Sequence, residues 1–420
     1  MSKPPLHHIV RVRRSDDLTF LRAGIMDEVL INANQLENSP DSTATALRGN
    51  DLPFTVDPVL WRFQVPEWWR NAKGETKRNY TRLGQAYVNG TAIQIAAGPL
   101  LQTVPSDGEW RTLGANVIEY QRTRLEAMPA QLDLFGETQP RELIPARFMA
   151  ASLVAFTPAE DRINRLLVEA AASTAEQSVA VSVIVPPDRL LDARGLGSLL
   201  AAVPTDGVSA YFLWTPDITE DLMLGDPDVF SAILRLISSL GERGIPVGHL
   251  HAGYVIGALH DVGVAAVVHH LGWIDKGEPA AEPRGGLRSC QTYVPGVRQS
   301  IRFQQAHNLG RHLDAMAYRD RYCDCAFCAG AFANGQHPLD LLLEDQLVPF
   351  KDGRDRRIPT SRAVGLNTWH YLLARRQEFE AFSDQPAISV LERDMARASA
   401  LGGHRETDRL RRLAQQLRSA

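Results

Sequence analysis

Cysteine is scarce in this chain: there are four in 420 residues, and three of them, Cys323, Cys325 and Cys328, fall within six positions. A framework of disulfides is therefore excluded as the main source of stability, since bridge-dependent scaffolds are small, secreted and dense in cysteine. Long apolar runs are missing too. No stretch approaches the roughly 18 apolar residues that a bilayer-spanning helix needs, and Met-Ser-Lys-Pro-Pro-Leu-His-His lacks the apolar core of a secretory signal. The expectation is a cytoplasmic protein with no membrane partner. Neither sign of charge dominates, because 45 basic and 49 acidic residues leave a net charge of −4, so the overall field does not advertise a polyanion as partner. Short basic runs at 11–14, 351–357 and 409–412 read as solvated surface, with phosphate contact as the alternative. A glycine fingerprint after the first strand is also lacking, which argues against a dinucleotide-binding open sheet.

What is present is a steady alternation. With 44% hydrophobic and 22% charged residues the chain can bury a large core. Short apolar runs at 28–36, 53–63, 147–156, 179–185, 208–214, 246–251, 265–270 and 291–294 alternate with leucine-type helical patterns. Eight such units predict an α/β protein, a (β/α)8 TIM-type barrel over 1–310. The segment 105–145, with one helix over 116–127, reads as an insertion on that barrel. Beyond 303 the alternation stops, so 311–390 is expected to form an appended α-rich metal-binding subdomain and 391–420 a charged helical tail.

Thiolates as close as Cys323, Cys325 and Cys328 converge on one soft metal ion, and a fourth ligand completes a tetrahedron. His370 is the expected fourth ligand, because Asn-Thr-Trp-His-Tyr-Leu-Leu-Ala-Arg-Arg is a good helix that holds an imidazole rigidly. His337, in Gly-Gln-His-Pro, is nearer in sequence but sits on a loop. An iron–sulfur cluster completed by Cys290 and a set of free or bridged thiols are the alternatives. The expected cofactor is a structural Zn2+, since four protein ligands leave no open position for water.

In a (β/α)8 barrel the carboxyl ends of the strands receive ligands. Asp57, in Phe54-Thr-Val-Asp-Pro58, is expected there, with a turn cap as the plainer role. His249, His251, His269 and His270 gather at the expected ends of two neighbouring strands with Tyr254, while Asp217 follows the preceding strand and Asp275 lies beyond His270. Buried imidazoles need a partner for each nitrogen. A catalytic set or a second metal site is therefore weighed against bonding to nearby carbonyls. Strand alternation predicts His249 and His251 on one side and His269 and His270 on opposite sides. Arg62, Trp61, Trp68 and Trp69 supply guanidinium and aromatic planes that could stack on bases, the tryptophans fitting a core as well. Gly285, Gly286 and Arg298 flank the last predicted strand, where barrels often accept phosphate.

A barrel followed by Cys-x-Cys-x-x-Cys and a later helical histidine resembles the tRNA-guanine transglycosylase family, with its queuine, archaeosine and DNA-modifying deazaguanine branches. Leu30-Ile-Asn-Ala-Asn-Gln-Leu-Glu-Asn-Ser-Pro40 is similar to the family's early strand pattern and brings in Asn34 and Gln35. Asp57 stands where the family has the aspartate of Thr-Asp-Ser. The resemblance implies zinc, a guanine or deazapurine base, and tRNA or DNA as partner. It also implies base exchange, in which an aspartate attacks the anomeric carbon, a purine leaves, and an incoming deazapurine displaces the covalent intermediate. The chain departs from the pattern where the family's nucleophile would stand, at Val268 or His269. It departs also at Val154-Ala-Phe156 and Val185-Pro-Pro187, in place of base-recognising Asp and Gln, and at Phe212-Leu-Trp-Thr-Pro-Asp217, in place of a double glycine. The expected catalytic set is Asp57, His269 and Asp217; Asn34, Gln35, Arg62, His251, Tyr254, Gly285, Gly286 and Arg298 are the expected substrate contacts. The alternative is an accessory subunit that binds nucleic acid beside a catalytic partner, and a third reading is a metal-dependent hydrolase built on the histidines. Association as a homodimer or with a partner subunit is left open.

Overall fold

The computed structural model describes residues 4–13, 15–22, 24–71, 73–89, 100, 106–126, 143–251, 253–271, 290–349 and 354–419. Eight parallel strands form its centre: β1 (His7–Val12), β2 (Glu28–Asn32), β3 (Phe54–Asp57), β4 (Met149–Ala150), β5 (Val179–Ile184), β6 (Val208–Trp214), β7 (Val247–His249) and β8 (Val264–His270). Each pairs with its neighbours in chain order, and β1 pairs with β8. The ring closes between β3 and β4, where Thr55 bridges Arg147 and the Ala146 N–H donates to the Phe54 carbonyl at 2.7 Å. The fold is a (β/α)8 barrel.

Strands buried on both faces read as continuous apolar runs, as in Val-Ala-Val-Ser-Val-Ile of β5, where all six residues are buried. The intervening helices show their own signals. The Pro158–Ala175 helix starts with a capping box between Thr157 and Glu160 and buries Ile163, Leu166, Leu167 and Ala171 at helical spacing. The Pro227–Gly241 helix is capped by the Asp226 carboxylate and buries Phe230, Ile233, Ile237 and Leu240. The helix expected over 116–127 begins nine residues earlier, at Asp107, and ends at Glu126. It packs between the Arg78–Tyr87 and Pro158–Ala175 helices as part of the outer layer.

The number of strands agrees with the sequence, but the membership shifts by one. The run Gln291–Val294 (β9) lies outside the barrel and pairs antiparallel with Gln299–Arg302 (β10). The missing strand is β1, whose His7, His8 and Arg11 disguise it as a polar leader. Arg11, taken from the sequence as solvated surface, is 2% exposed inside the barrel. Several other strands are shorter than expected: β2 and β3 because the chain enters a helix at Ala33 and a 3-10 turn at Leu60, while β4 keeps only Met149–Ala150 of 147–156 and β7 only Val247–His249 of 246–251.

A separate apolar cluster gathers Val294, Tyr318, Tyr322, Leu339 and the three neighbouring cysteines. The Ser361–Asp384 helix, capped by Thr360, carries His370 to this cluster and packs Phe379 and Phe382 against the barrel's helical layer. The last two helices, Ala387–Ala400 and His404–Ser419, bury Val390, Leu391, Leu410 and Leu413 in that same layer. Arg409, from a run also expected at the surface, is 9% exposed and pairs with Glu220 at 2.9 Å and Asp221 at 3.1 Å. Among the described residues no helix is long and apolar enough to cross a membrane.

Candidate functional site

Cys325 caps the Ala326–Ala333 helix and Cys328 sits in its first turn, so the two-residue spacing sets both sulfurs at one helix end. The Cys325 N–H points to the Cys323 sulfur at 3.4 Å. His370 arrives from the long helix with Nδ1 at 3.3 Å from Cys325 Sγ, 3.6 Å from Cys328 Sγ and 4.0 Å from Cys323 Sγ. Its Nε2 lies 2.9 Å from the Tyr293 carbonyl, which can only accept, so Nε2 carries a proton and Nδ1 is the atom aimed at the sulfurs. All four side chains are buried, with ligand atoms within 4.8 Å of one another, and the group could hold a metal ion. Hydrogen bonds from Cys323 and Cys328 hold the Cys325 thiol far below its ordinary range, while burial pushes Cys323 up. One buried thiolate sharing its neighbours' protons is the state a cation would replace. His337 instead accepts the Leu339 N–H at its own helix start, and Cys290 faces the Arg357 carbonyl.

Asp57 ends β3 at the carboxyl rim of the barrel and is 2% exposed. Its Oδ1 accepts the Val59 N–H at 3.0 Å, spanning Pro58, and its Oδ2 pairs with the Arg11 guanidinium. The turn-capping role is therefore real, and the ion pair is added to it. Arg11 also donates from Nε to Asn32 Oδ1 at 2.7 Å and from Nη1 to His251 Nε2 at 3.2 Å. Two non-glycine residues here have left-handed backbone, Val59 at φ 47° and His251 at φ 139°. Each costs on the order of 1–3 kcal/mol, and such strain collects at functional sites. An aromatic wall closes the mouth. Trp61 lies edge-on to Trp214 at 4.6 Å and to Trp68 at 5.8 Å, Trp214 lies 5.0 Å from the His251 ring, and Arg62 covers Trp61 at 4.9 Å. Trp214 is 2% exposed, and its indole N–H has no partner among the described residues.

His269 and His270 diverge, as alternation requires. His270 Nε2 lies 3.1 Å from His251 Nδ1. His269 turns to the opposite side, against Tyr371 and Phe379 of the Ser361–Asp384 helix, so it does not join Asp57 at the mouth. Its Nε2 meets His8 Nε2 at 2.5 Å with the rings 12° from coplanar and centroids 4.8 Å apart, an end-to-end rather than face-to-face arrangement. Both Nδ1 atoms face carbonyls at 2.9 Å, of Ile25 for His8 and His270 for His269. Burial, helped by Arg376, lowers His8 to about 3. A neutral pair must then give up one carbonyl bond, and the Tyr371 hydroxyl, 3.4 Å from His269 Nδ1, is the donor that replaces it.

His249 does not share a side with His251. It lies in register with Leu213 and Val267 of the outer layer, and neither ring nitrogen has a partner among the described residues. The break in alternation comes at the strained turn after β7. Burial lowers His249 to about 4 and holds His251, His269 and His270 well below 6.5, so these imidazoles are neutral at pH 7. The second metal site weighed from the sequence is not assembled: among the described residues, the cysteine–histidine group alone brings three or more ligand atoms together.

The remaining expected contacts separate. Gln35 is buried and, with its amide oriented to suit its neighbours, donates to the Arg13 carbonyl at 2.9 Å and accepts the Ser15 N–H at 3.2 Å, pinning the exit of β1. Asn34 is half-buried beside it, with a side-chain oxygen that has no partner among the described residues. Asp217 is exposed, at φ 65° in the turn after β6. Tyr254 and Arg298 leave the substrate set. Tyr254 donates to Asp394 at 2.5 Å, Arg298 pairs with Asp394 at 2.5 Å and Glu378 at 2.6 Å, and its guanidinium lies 4.9 Å over the Tyr254 ring. Tyr254 ties the barrel's helical layer, and Arg298 the turn between β9 and β10, to the C-terminal helices. Gly285, Gly286 and Asp275 lie outside the described residues. Sequence reasoning missed Arg11 and Asn32; the signal for Arg11 was its place inside the apolar run Ile9-Val10-Arg11-Val12.

No family model matches the sequence, and no curated protein matches it. Among solved structures the chain is similar to xylanase B from Clostridium stercorarium F9, at 10% identity and a TM-score of 0.32, over 64% of this chain and 88% of that chain. A likeness this slight carries no argument.

Proposed function

We propose that this chain is a transglycosylase-like protein that binds guanine or 7-deazaguanine in nucleic acid at the barrel mouth, with Asp57 as the anionic acceptor for the base. The observation that carries the reading is the Asp57 carboxylate at the carboxyl rim, held between the Val59 N–H and Arg11 beside a wall of Trp61, Trp214 and His251. A carboxylate accepts the N–H groups of a guanine edge, and indole planes suit a base brought out of the stack. The ion that the cysteine–histidine group would hold is Zn2+: bonds of about 2.3 Å to sulfur and 2.0–2.1 Å to nitrogen put tetrahedral ligand atoms roughly 3.5 Å apart, against 3.3 to 4.0 Å from His370 Nδ1 to the sulfurs. With four protein ligands it supplies structure and leaves no coordination site for a reacting group.

A specific feature favours recognition over exchange. Arg11 balances the Asp57 charge, which weakens it as a nucleophile, and no second carboxylate is bonded to this array among the described residues. The accessory reading, a binding subunit beside a catalytic partner, follows from that. Purified full-length protein should bind guanine-containing tRNA or single-stranded DNA, and Asp57→Asn should weaken binding at least tenfold. Guanine exchange by the parent, lost in Asp57→Asn, would establish an enzyme instead. Parent protein that binds neither base nor nucleic acid would refute the proposal.

A further inference from the structure

Arg11 does more than neutralise Asp57. A guanidinium keeps its protons at any working pH and has no acceptor, so the direction of every bond it makes is fixed. His251 Nε2, 3.2 Å from Arg11 Nη1, must therefore accept. A neutral imidazole that accepts at Nε2 carries its proton on Nδ1. His251 Nδ1 lies 3.1 Å from His270 Nε2, so it donates there, and His270 in turn is protonated on Nδ1. Asn32 Oδ1, 2.7 Å from Arg11 Nε, keeps the fork from rotating.

We propose that Arg11 is the positioning residue of the mouth, holding Asp57 as a permanent acceptor and forcing His251 and His270 into the Nδ1–H tautomer. The array then presents Asp57 as a fixed acceptor beside two rings of fixed tautomer. This deepens the preceding reading: a planar ligand that offers N–H donors, such as the edge of guanine, is matched at Asp57, and one with acceptors alone is rejected there. His251 touches Arg11 and His270, and the other charged or titratable groups whose fields reach the two rings are Arg13 and Arg62, with His249 and His269 on the far sides of their strands. Every one is cationic or a neutral imidazole, so the surroundings and burial together keep both rings uncharged.

The test is nitrogen-15 NMR of the full-length, metal-loaded protein labelled at histidine, with long-range correlations that identify each ring's tautomer. At pH 7 His251 and His270 should both show the Nδ1–H form, where unconstrained histidine prefers Nε2–H, and should stay uncharged well below the ordinary imidazole range. Arg11→Met should shift both toward Nε2–H, and Arg11→Lys, which keeps the charge but not the fork, should do so in part. An Nε2–H or doubly protonated His251 in the parent would overturn the inference, and that reading needs no variant to fold. Unchanged tautomers in Arg11→Met would overturn it as well. Tautomers as expected without guanine binding would uphold the positioning role and refute the ligand assignment.

Discussion

Replacing His249 with leucine should stabilise the protein, and more so in acid. The side chain is 5% exposed with both nitrogens unpaired among the described residues, and burial alone lowers it from 6.5 to about 4. The native state thus refuses a proton that the unfolded chain takes up below about pH 6.5. Stability from the neutral form is complete above pH 6.5 and is lost as pH falls toward 4. At 1.36 kcal/mol per pKa unit the full loss is ~3 kcal/mol, with ~2 kcal/mol gone by pH 5. Leucine cannot titrate, and it removes two unpaired polar atoms whose burial costs about 1–3 kcal/mol each, so a gain of at least ~1 kcal/mol is expected at pH 7. Urea unfolding of parent and His249→Leu, followed by tryptophan fluorescence at pH 7, 6, 5 and 4, reads the difference. The gap between midpoints should widen steadily with acid. A constant gap, or a variant less stable than the parent throughout, would refute the reasoning, because it would mean that His249 is either charged or bonded in the native state.

Two further outcomes are expected. Elemental analysis of the purified chain should find one equivalent of zinc, and Cys325→Ser should lose it together with the tight packing of Tyr318 and Tyr322, read as a lowered Tm and altered near-UV dichroism; two equivalents in the parent would revive the histidine metal site. Arg298→Ala should cost roughly 3 kcal/mol in unfolding free energy, because it leaves buried Asp394 with the half-exposed Arg393 as its cation and Glu378 with Arg375 alone; a cost below ~1 kcal/mol would show that these remaining partners suffice.

The barrel was legible where strands are apolar on both faces, as in β5 and β6, and illegible where a strand carries its own polar cargo. β1 was lost because His8 and Arg11 are satisfied by partners remote in sequence, Arg11 by Asp57 and Asn32, and His8 by His269. Periodicity cannot report a bond across 261 positions. The metal group was legible because its chemistry is local in three of four ligands and the fourth sits on a recognisable helix. The mouth was half legible. Asp57 lies at the expected rim, but its guanidinium partner came from a run that composition assigns to solvent. Tyr254 and Arg298 were read as substrate contacts because their acidic partners, Glu378 and Asp394, come from helices read as a separate lobe.

That last misreading shows how the appended region and the barrel depend on each other. On the Ser361–Asp384 helix, His370 faces the three sulfurs, Tyr371 reaches His269 at 3.4 Å, Arg375 lies over the Tyr293 ring at 4.9 Å, and Glu378 holds Arg298. The Tyr293 carbonyl orients His370, and the Tyr293 hydroxyl donates to Glu378 at 2.6 Å. Holding His370 therefore fixes the rotation of a helix whose next turns press on the outer face of β8, while the inner face of β8 carries His270 to His251 and Arg11. A metal ion in this group would act on the mouth through position alone, by setting the helix that backs the strand, without supplying any chemistry to it.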